Sequence, residues 1–337
     1  MARQTTRGWA RAFIDDTLVW DAHAGIFPSP DTDLSCVPAW RDSGVDFVSL
    51  NIGFDVMNWA DAVATLSAHR RKLAAMRDTV SVIRNTADIQ AARDSGRLAV
   101  SFDIEGVNAL NGDPGMVSVY YDLGVRQMLL AYNLNNSGSG GCHDDDAGLT
   151  AFGREVVEEM NRVGMILDCS HMGHRSSLEA FAHSAKPAVF THSNPAVLCD
   201  HQRNITDEQI KACAATGGVI GINGMGIFLG DNNVSASTFA RHVNYVADLV
   251  GSEHVGFGLD WKPPMKAAPD LGTTLASRPD YWPAGQKYDT PGIRLFAPDQ
   301  LVDVLVLLRQ SGWSEGDMRA FLGGNFLRVA TRNWKNG

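Results

Sequence analysis

Short, almost continuous apolar runs recur along the chain, each followed by a stretch with helical spacing. The runs are TLVWDAH (17–23), VDFVSLNIG (45–53), RLAVSFDIEG (97–106), VRQMLLAY (125–132), GMILDCSH (164–171), PAVFTH (187–192), GGVIGIN (217–223) and HVGFGLD (254–260). A strand covered on both faces reads as such a run, whereas one wetted on one face alternates. Apolar residues recur at helical spacing in Asn58 to Arg71, Phe239 to Val250 and Asp299 to Arg309, and Val156, Met160 and Val163 share a face of Phe152 to Val163. Thr86 in N-cap position opens 86–94, Thr206 caps DEQIKACAA ahead of a Gly217–Gly218 stop, and Ser314 caps EGDMRAFL. Eight strands alternating with helices predict an α/β fold, a (β/α)8 TIM barrel. The alternative is a doubly wound open sheet, weakened by the lack of G-x-G-x-x-G after the first strand. Neither repeats nor a linker divide the chain. The expectation is one barrel domain over 1–337, with a long loop at about 261–296, rich in Pro, Gly and aromatic residues, over the active-site mouth.

Barrels of this kind carry their chemistry at the C-terminal ends of the strands. Those positions hold His23, Asn51, Glu105, Tyr132, His171, His192, Asn223 and Asp260. Imidazoles and carboxylates at five of the eight ends make a donor set for zinc or a similar divalent ion. A single His or Asp at a strand end more often just bonds a neighbouring loop; it is the convergence that favours a metal-dependent hydrolase site. Asp103 and Glu105 face the same way, with Glu105 nearer the mouth. His69, His183, His242 and His254 read as helix-face or surface residues, and His143 as part of a mobile, solvated loop, SGSGGCHDDDAG (137–148). His174 and His201 lie near the mouth. Arg203 is a surface residue or a clamp for a carboxylate, which a guanidinium holds by paired hydrogen bonds.

Charge and cysteine usage narrow the partners. The 29 basic and 38 acidic residues leave a net charge of −9, which argues against nucleic acid and against an anionic membrane surface. There is no apolar run of about 18 residues that would span a bilayer. The first 20 residues lack the apolar stretch of a secretory signal. Five cysteines without a C-x-x-C pair suit a reducing, cytoplasmic location better than a disulfide framework.

These residues resemble the membrane dipeptidase (renal dipeptidase) family of zinc metallopeptidases, within the amidohydrolase-like barrels, as a divergent bacterial-type member. The resemblance covers about 17–335 and is carried by DIEG (103–106), GLTAFGREVVEEMNRVGMILDCSHMG (148–173), PAVFTHSNPAVLCDHQRNITDE (187–208), GFGLDW (256–261) and GGNFLRV (323–329). It implies zinc, one or two ions per chain, held by His23, Glu105, His171 and His192, with Glu105 bridging. It implies Asp260 as the catalytic proton carrier and Arg203 as the partner of the substrate carboxylate. The family's H-x-D pair keeps only its histidine, because Gly25 stands in the aspartate position. The second metal position is therefore expected to be weakened, filled by water, or served by Asp21. Tyr132 stands where the family has a histidine that contacts the reacting carbonyl, and it can still donate a hydrogen bond. The implied function is hydrolysis of small dipeptides, L,D-dipeptides included, by metal-activated water. One alternative is a mononuclear amidohydrolase acting on an N-acyl amino acid, lactam or lactone; another is a catalytically silent ligand-binding barrel. A homodimer is compatible with such a barrel.

Overall fold

The apolar runs fold as parallel strands. The structure, a computed structural model, describes residues 2–265 and 271–335, with the backbone alone for 2–5. The strands are β1 (Trp20–Ala24), β2 (Phe47–Phe54), β3 (Val80–Val82), β4 (Leu98–Glu105), β5 (Val125–Leu129), β6 (Ile166–Asp168), β7 (Ile220–Ile222) and β8 (Val255–Phe257). Parallel pairing runs β1–β2–β4–β5–β6. It continues through bridges from Asp168 to Val189 and from Phe190 to Ile220, then β7–β8. A last bridge, Ala24 to Trp261, joins the two ends. The barrel thus closes, with the run 187–192 contributing its strand through bridges alone.

The eight expected strands are all in place, and β3 is additional. It pairs with the first half of β4 (Val80 with Leu98), below the point where β5 joins the second half (Phe102 with Val125). Three paired residues leave too short a pattern to stand out as a run. The cap expected at Thr86 is instead Asn85, whose side chain accepts from the Asp88 amide while Asp88 reaches back. Thr206 and Ser314 cap as expected. The Ser314-capped helix covers only Glu315–Arg319, then passes through a wide turn, Ala320–Gly324, into Asn325–Asn333. At that turn a side chain on Gly323 would meet Leu18 O at 2.6 Å, so the segment is pressed onto the entry to β1.

Every residue of β1, β2, β4 and β5 is buried. His69 and His242, read as helix-face or surface residues, lie on helices and are buried on inward faces. Each ring meets one main-chain carbonyl, Ser29 O at 3.1 Å and Leu229 O at 3.0 Å, which satisfies one nitrogen without any ligand. No helix among the described residues is long and apolar enough to cross a membrane.

Candidate metal centre

The strand ends deliver their side chains to one point. Glu105 Oε1 lies 3.7 Å from His23 Nε2, 3.4 Å from His171 Nε2 and 3.4 Å from His192 Nε2. It is buried and has no hydrogen-bond partner, whereas Oε2 accepts from Asn51 Nδ2 at 2.7 Å. Asn51, itself a strand-end residue, therefore fixes which carboxylate oxygen faces the histidines. Asp260, from the segment after β8, approaches His23 Nε2 at 3.9 Å, and Asn223 Nδ2 reaches its other oxygen at 3.3 Å.

Each imidazole is held at the nitrogen that points away from Glu105. His171 Nδ1 meets Asn133 Oδ1 at 2.6 Å. His192 Nδ1 meets Thr191 Oγ1 at 2.7 Å, and that hydroxyl donates to Asp168. His23 Nδ1 faces Asp103 at 3.4 Å. For His171 and His192, oxygen acceptors at Nδ1 place the ring proton there and leave Nε2 a bare lone pair, the arrangement by which outer residues prepare metal-binding histidines. At His23 burial opposes the charge, but Asp103 and Glu105 outweigh it and push the pKa up to about 10 in the metal-free centre. Burial drives the pKa of His171 and of His192 well down, so both rings are neutral. Their Nε2 atoms are 3.0 Å apart. Two lone pairs at that separation repel one another, and a divalent ion between them would turn that repulsion into coordination. Burial also raises Glu105 to about 8. The residues thus fit a divalent ion: among the described residues, His23, Glu105 and His192 bring ligand atoms within 4.8 Å of one another.

Where the resemblance implies a second metal position, the space at Gly25 is closed by packing. A Cβ on Gly25 would lie 2.1 Å from Asp260 O and 2.7 Å from its carbonyl carbon. Gly25 N donates to Trp261 O at 2.8 Å, so the two ends of the barrel touch there through backbone. Asp21 does not substitute for the missing carboxylate. It is fully buried, accepting from Leu259 N at 2.8 Å and Trp40 Nε1 at 3.0 Å, below the site. The carboxylate nearest His23 is Asp103, and both its oxygens are buried without a hydrogen-bond partner.

Backbone strain and a second carboxylate hold the centre together. His171, Asp260 and Asn133 all adopt left-handed backbone, with φ of 64°, 53° and 63°. Such strain, about 1–3 kcal/mol each, persists where the surroundings enforce it and clusters at functional sites. Asp55, just past β2, accepts from Asn108 N (3.1 Å), Tyr132 N (2.9 Å) and Asn136 Nδ2 (2.7 Å). A side chain on Gly106, at φ 121°, would strike the Asp55 carboxylate, which explains the glycine of DIEG. Burial raises the Asp55 pKa to about 6. Replacement by Asn removes that charge but turns one acceptor into a donor facing a donor. Asp55→Asn is therefore expected to lose about 1–3 kcal/mol, read as a lower melting temperature at pH 7.

The roof is built from part of the expected long loop; residues 266–270 of it lie outside the described residues. Trp282 Nε1 donates to Tyr132 Oη at 3.1 Å, and Tyr132 stacks on His171 with ring centres 4.2 Å apart. Tyr281 O accepts from Asn133. The 137–148 loop, expected to be solvated and mobile, is tied into this roof: His143 meets Tyr288 Oη at 2.9 Å and Gln202 Oε1 at 3.0 Å, and Cys142 N donates to His171 O. His201 bonds the roof at Gln286 O, while His174 pairs with Glu208 on the surface. Arg203 is buried, not superficial. Its terminal nitrogens donate to Ser193 Oγ and His192 O, both at 2.9 Å, and its Nε has no partner.

The comparisons agree with this geometry. The profile of the family described as "Membrane dipeptidase (Peptidase family M19)" matches residues 62–278. An uncharacterized Klebsiella pneumoniae protein is 31% identical over 74% of this chain and 88% of its own length. Dipeptidase verJ of Clonostachys rogersoniana is 32% identical over 58% of this chain and 51% of its own, so the match spans about half of that relative. Among solved structures, an amidohydrolase from Pseudomonas aeruginosa superposes with a TM-score of 0.86 at 26% identity, covering 96% of this chain and 99% of that one. Profile, relatives and barrel together show that the chain belongs to the membrane dipeptidase family, a family of metallopeptidase hydrolases.

Proposed function

We propose that this barrel is a zinc-dependent dipeptidase that cleaves small dipeptides, L,D-dipeptides included. The observation that carries the reading is the convergence of three imidazole Nε2 atoms on one unpartnered Glu105 oxygen. His23, Glu105, His171 and His192 would hold the metal. When bound, the ion supplies Lewis acidity to the nucleophilic water and to the scissile carbonyl.

The remaining work belongs to side chains. Asp260, within 3.9 Å of His23 and steered by Asn223, takes the proton of the attacking water and returns it to the leaving nitrogen. The Tyr132 phenol, pushed by burial well above its ordinary pKa, stays neutral. With its oxygen already accepting from Trp282, it has its own proton free for the carbonyl oxygen as that oxygen gains charge. Arg203 offers its unpartnered Nε to the terminal carboxylate.

The test is to purify the protein with zinc, measure metal per chain, and assay L,L- and L,D-dipeptides. Metal-dependent turnover is the expected result; a zinc-loaded protein that cleaves none of them overturns the reading. Arg203→Met is expected to raise KM about 10–100-fold, the weight of a hydrogen bond to a charged group, with kcat within a few-fold. Dipeptide amides, which lack the carboxylate, should show no such change.

A further inference from the structure

Asp103 stands one pleat below Glu105 on the inner face of β4, paired with Asn51 of β2 and Gln127 of β5. Only 2% of it is exposed, and neither carboxylate oxygen has a hydrogen-bond partner. Among the described residues its one ion-pair partner is His23, whose Nδ1 lies 3.4 Å from Oδ1. A buried carboxylate without donors is costly, so its role is to be sought in the neighbour it does have. That neighbour has two possible orientations. The His23 ring lies flat on the His192 ring, with centres 4.0 Å apart and planes inclined by 9°. Stacking fixes the plane of the ring but is indifferent to a half-turn about its bond to Cβ, which exchanges nitrogen for carbon. As the ring stands, Nδ1 faces Asp103 while Nε2 faces Glu105 at 3.7 Å and Asp260 at 3.9 Å. Turned over, it would offer a carbon to each.

We propose that Asp103 is a positioning residue for His23: it holds the Nδ1–H edge of the ring and so presents Nε2 to the metal. The proposal rests on the metal-dependent reading above and not on which dipeptide is cleaved. His171 and His192 meet neutral oxygens in the same place, from Asn133 and Thr191. At His23 the group there is a carboxylate. A charged acceptor behind the ring makes it a stronger ligand, and it returns to the centre negative charge that Gly25 does not supply. Asp103 acts through the ring and touches no reacting atom.

The experiment measures zinc affinity, by competition with a chromophoric chelator, for the wild type, Asp103→Asn, His23→Ala and the double variant. Asp103→Asn keeps the size of the side chain and loses its charge. It is expected to weaken zinc binding about 10–100-fold, the cost of removing an outer partner of a metal-binding histidine. In the His23→Ala background the same substitution should change the affinity by no more than about twofold, because the ring it acts through is gone. A merely structural Asp103 would cost the same in both backgrounds, and that result overturns the proposal. So does an Asp103→Asn protein that binds zinc like the wild type. Cobalt(II) gives a second readout: Asp103→Asn should shift the visible bands when His23 is present and leave them in place in His23→Ala. Asp103→Ser, smaller and uncharged, carries the same cycle should the asparagine variant not fold. A wild type that binds zinc but cleaves no dipeptide overturns the dipeptidase reading alone, whereas one that binds no zinc overturns both.

Discussion

Glu105→Gln is expected to abolish zinc retention and turnover while leaving the metal-free fold at least as stable as the wild type. Asn51 donates to Oε2, so the glutamine would turn its carbonyl oxygen to Asn51 and its amide nitrogen to the histidines. That nitrogen is a donor facing Nε2 lone pairs, which satisfies the metal-free centre and cannot coordinate an ion. The loss of metal affinity should exceed the roughly 10–100-fold that removing an outer hydrogen bond costs, because the ligand shared by all three imidazoles is gone. Stability should move the other way. Burial raises Glu105 from 4.5 to about 8, so its contribution to metal-free stability is complete below pH 4.5 and is lost as pH climbs through 8. Metal-free wild type is therefore expected to lose more melting temperature between pH 5 and pH 8 than Glu105→Gln does. Melts of both chelated proteins at the two pH values check this; equal pH slopes would contradict the buried, unpartnered state of Oε1.

How far the centre could be read from the chain follows from what each residue needs. His23, Glu105, His171, His192 and Asp260 announce themselves because each follows an apolar run that can only be a buried strand, and the barrel brings strand ends together. Asn133 and Thr191 carry no such mark: an Asn after a strand and a Thr beside a His are ordinary residues. Their roles appear only once the fold sets them 2.6 Å and 2.7 Å from a ring Nδ1. Arg203 illustrates the same limit. Its loop position reads equally as surface, and its burial follows from Ser193 and the His192 carbonyl lying above it. The burial of the helix histidines is hidden for a related reason. A ring on a helix is exposed or inward according to whether a carbonyl such as Leu229 O stands opposite, and no local pattern records that.

Gly25 carries the second large prediction, because the sequence shows only what is absent there and the structure shows what fills the space. On the sequence, Gly25→Asp reads as a repair that restores a metal carboxylate. The backbone forbids it. The first carbon of any side chain would lie 2.1 Å from Asp260 O and 2.7 Å from Asp260 C, and both are main-chain atoms that cannot swing aside as the end of a side chain can. Asp260 is already in left-handed backbone and tied to His23 O by its own amide at 3.0 Å. It cannot yield without carrying the proposed proton carrier away from His23. Gly25→Ala, with no added charge, is expected to cost about 1–3 kcal/mol in overpacking. It should also cost about a hundredfold in kcat, the penalty for misplacing a reacting group by about 1 Å. Gly25→Asp should match it in both respects and bind no additional zinc. Metal analysis beside thermal melts and kinetics of the two variants separates the outcomes. An aspartate variant that gains an ion and keeps wild-type turnover would mean that the Ala24–Trp261 seam opens to admit a side chain. Loss of turnover in both, with metal content unchanged, identifies Gly25 as the glycine that lets the first and last strands of the barrel meet.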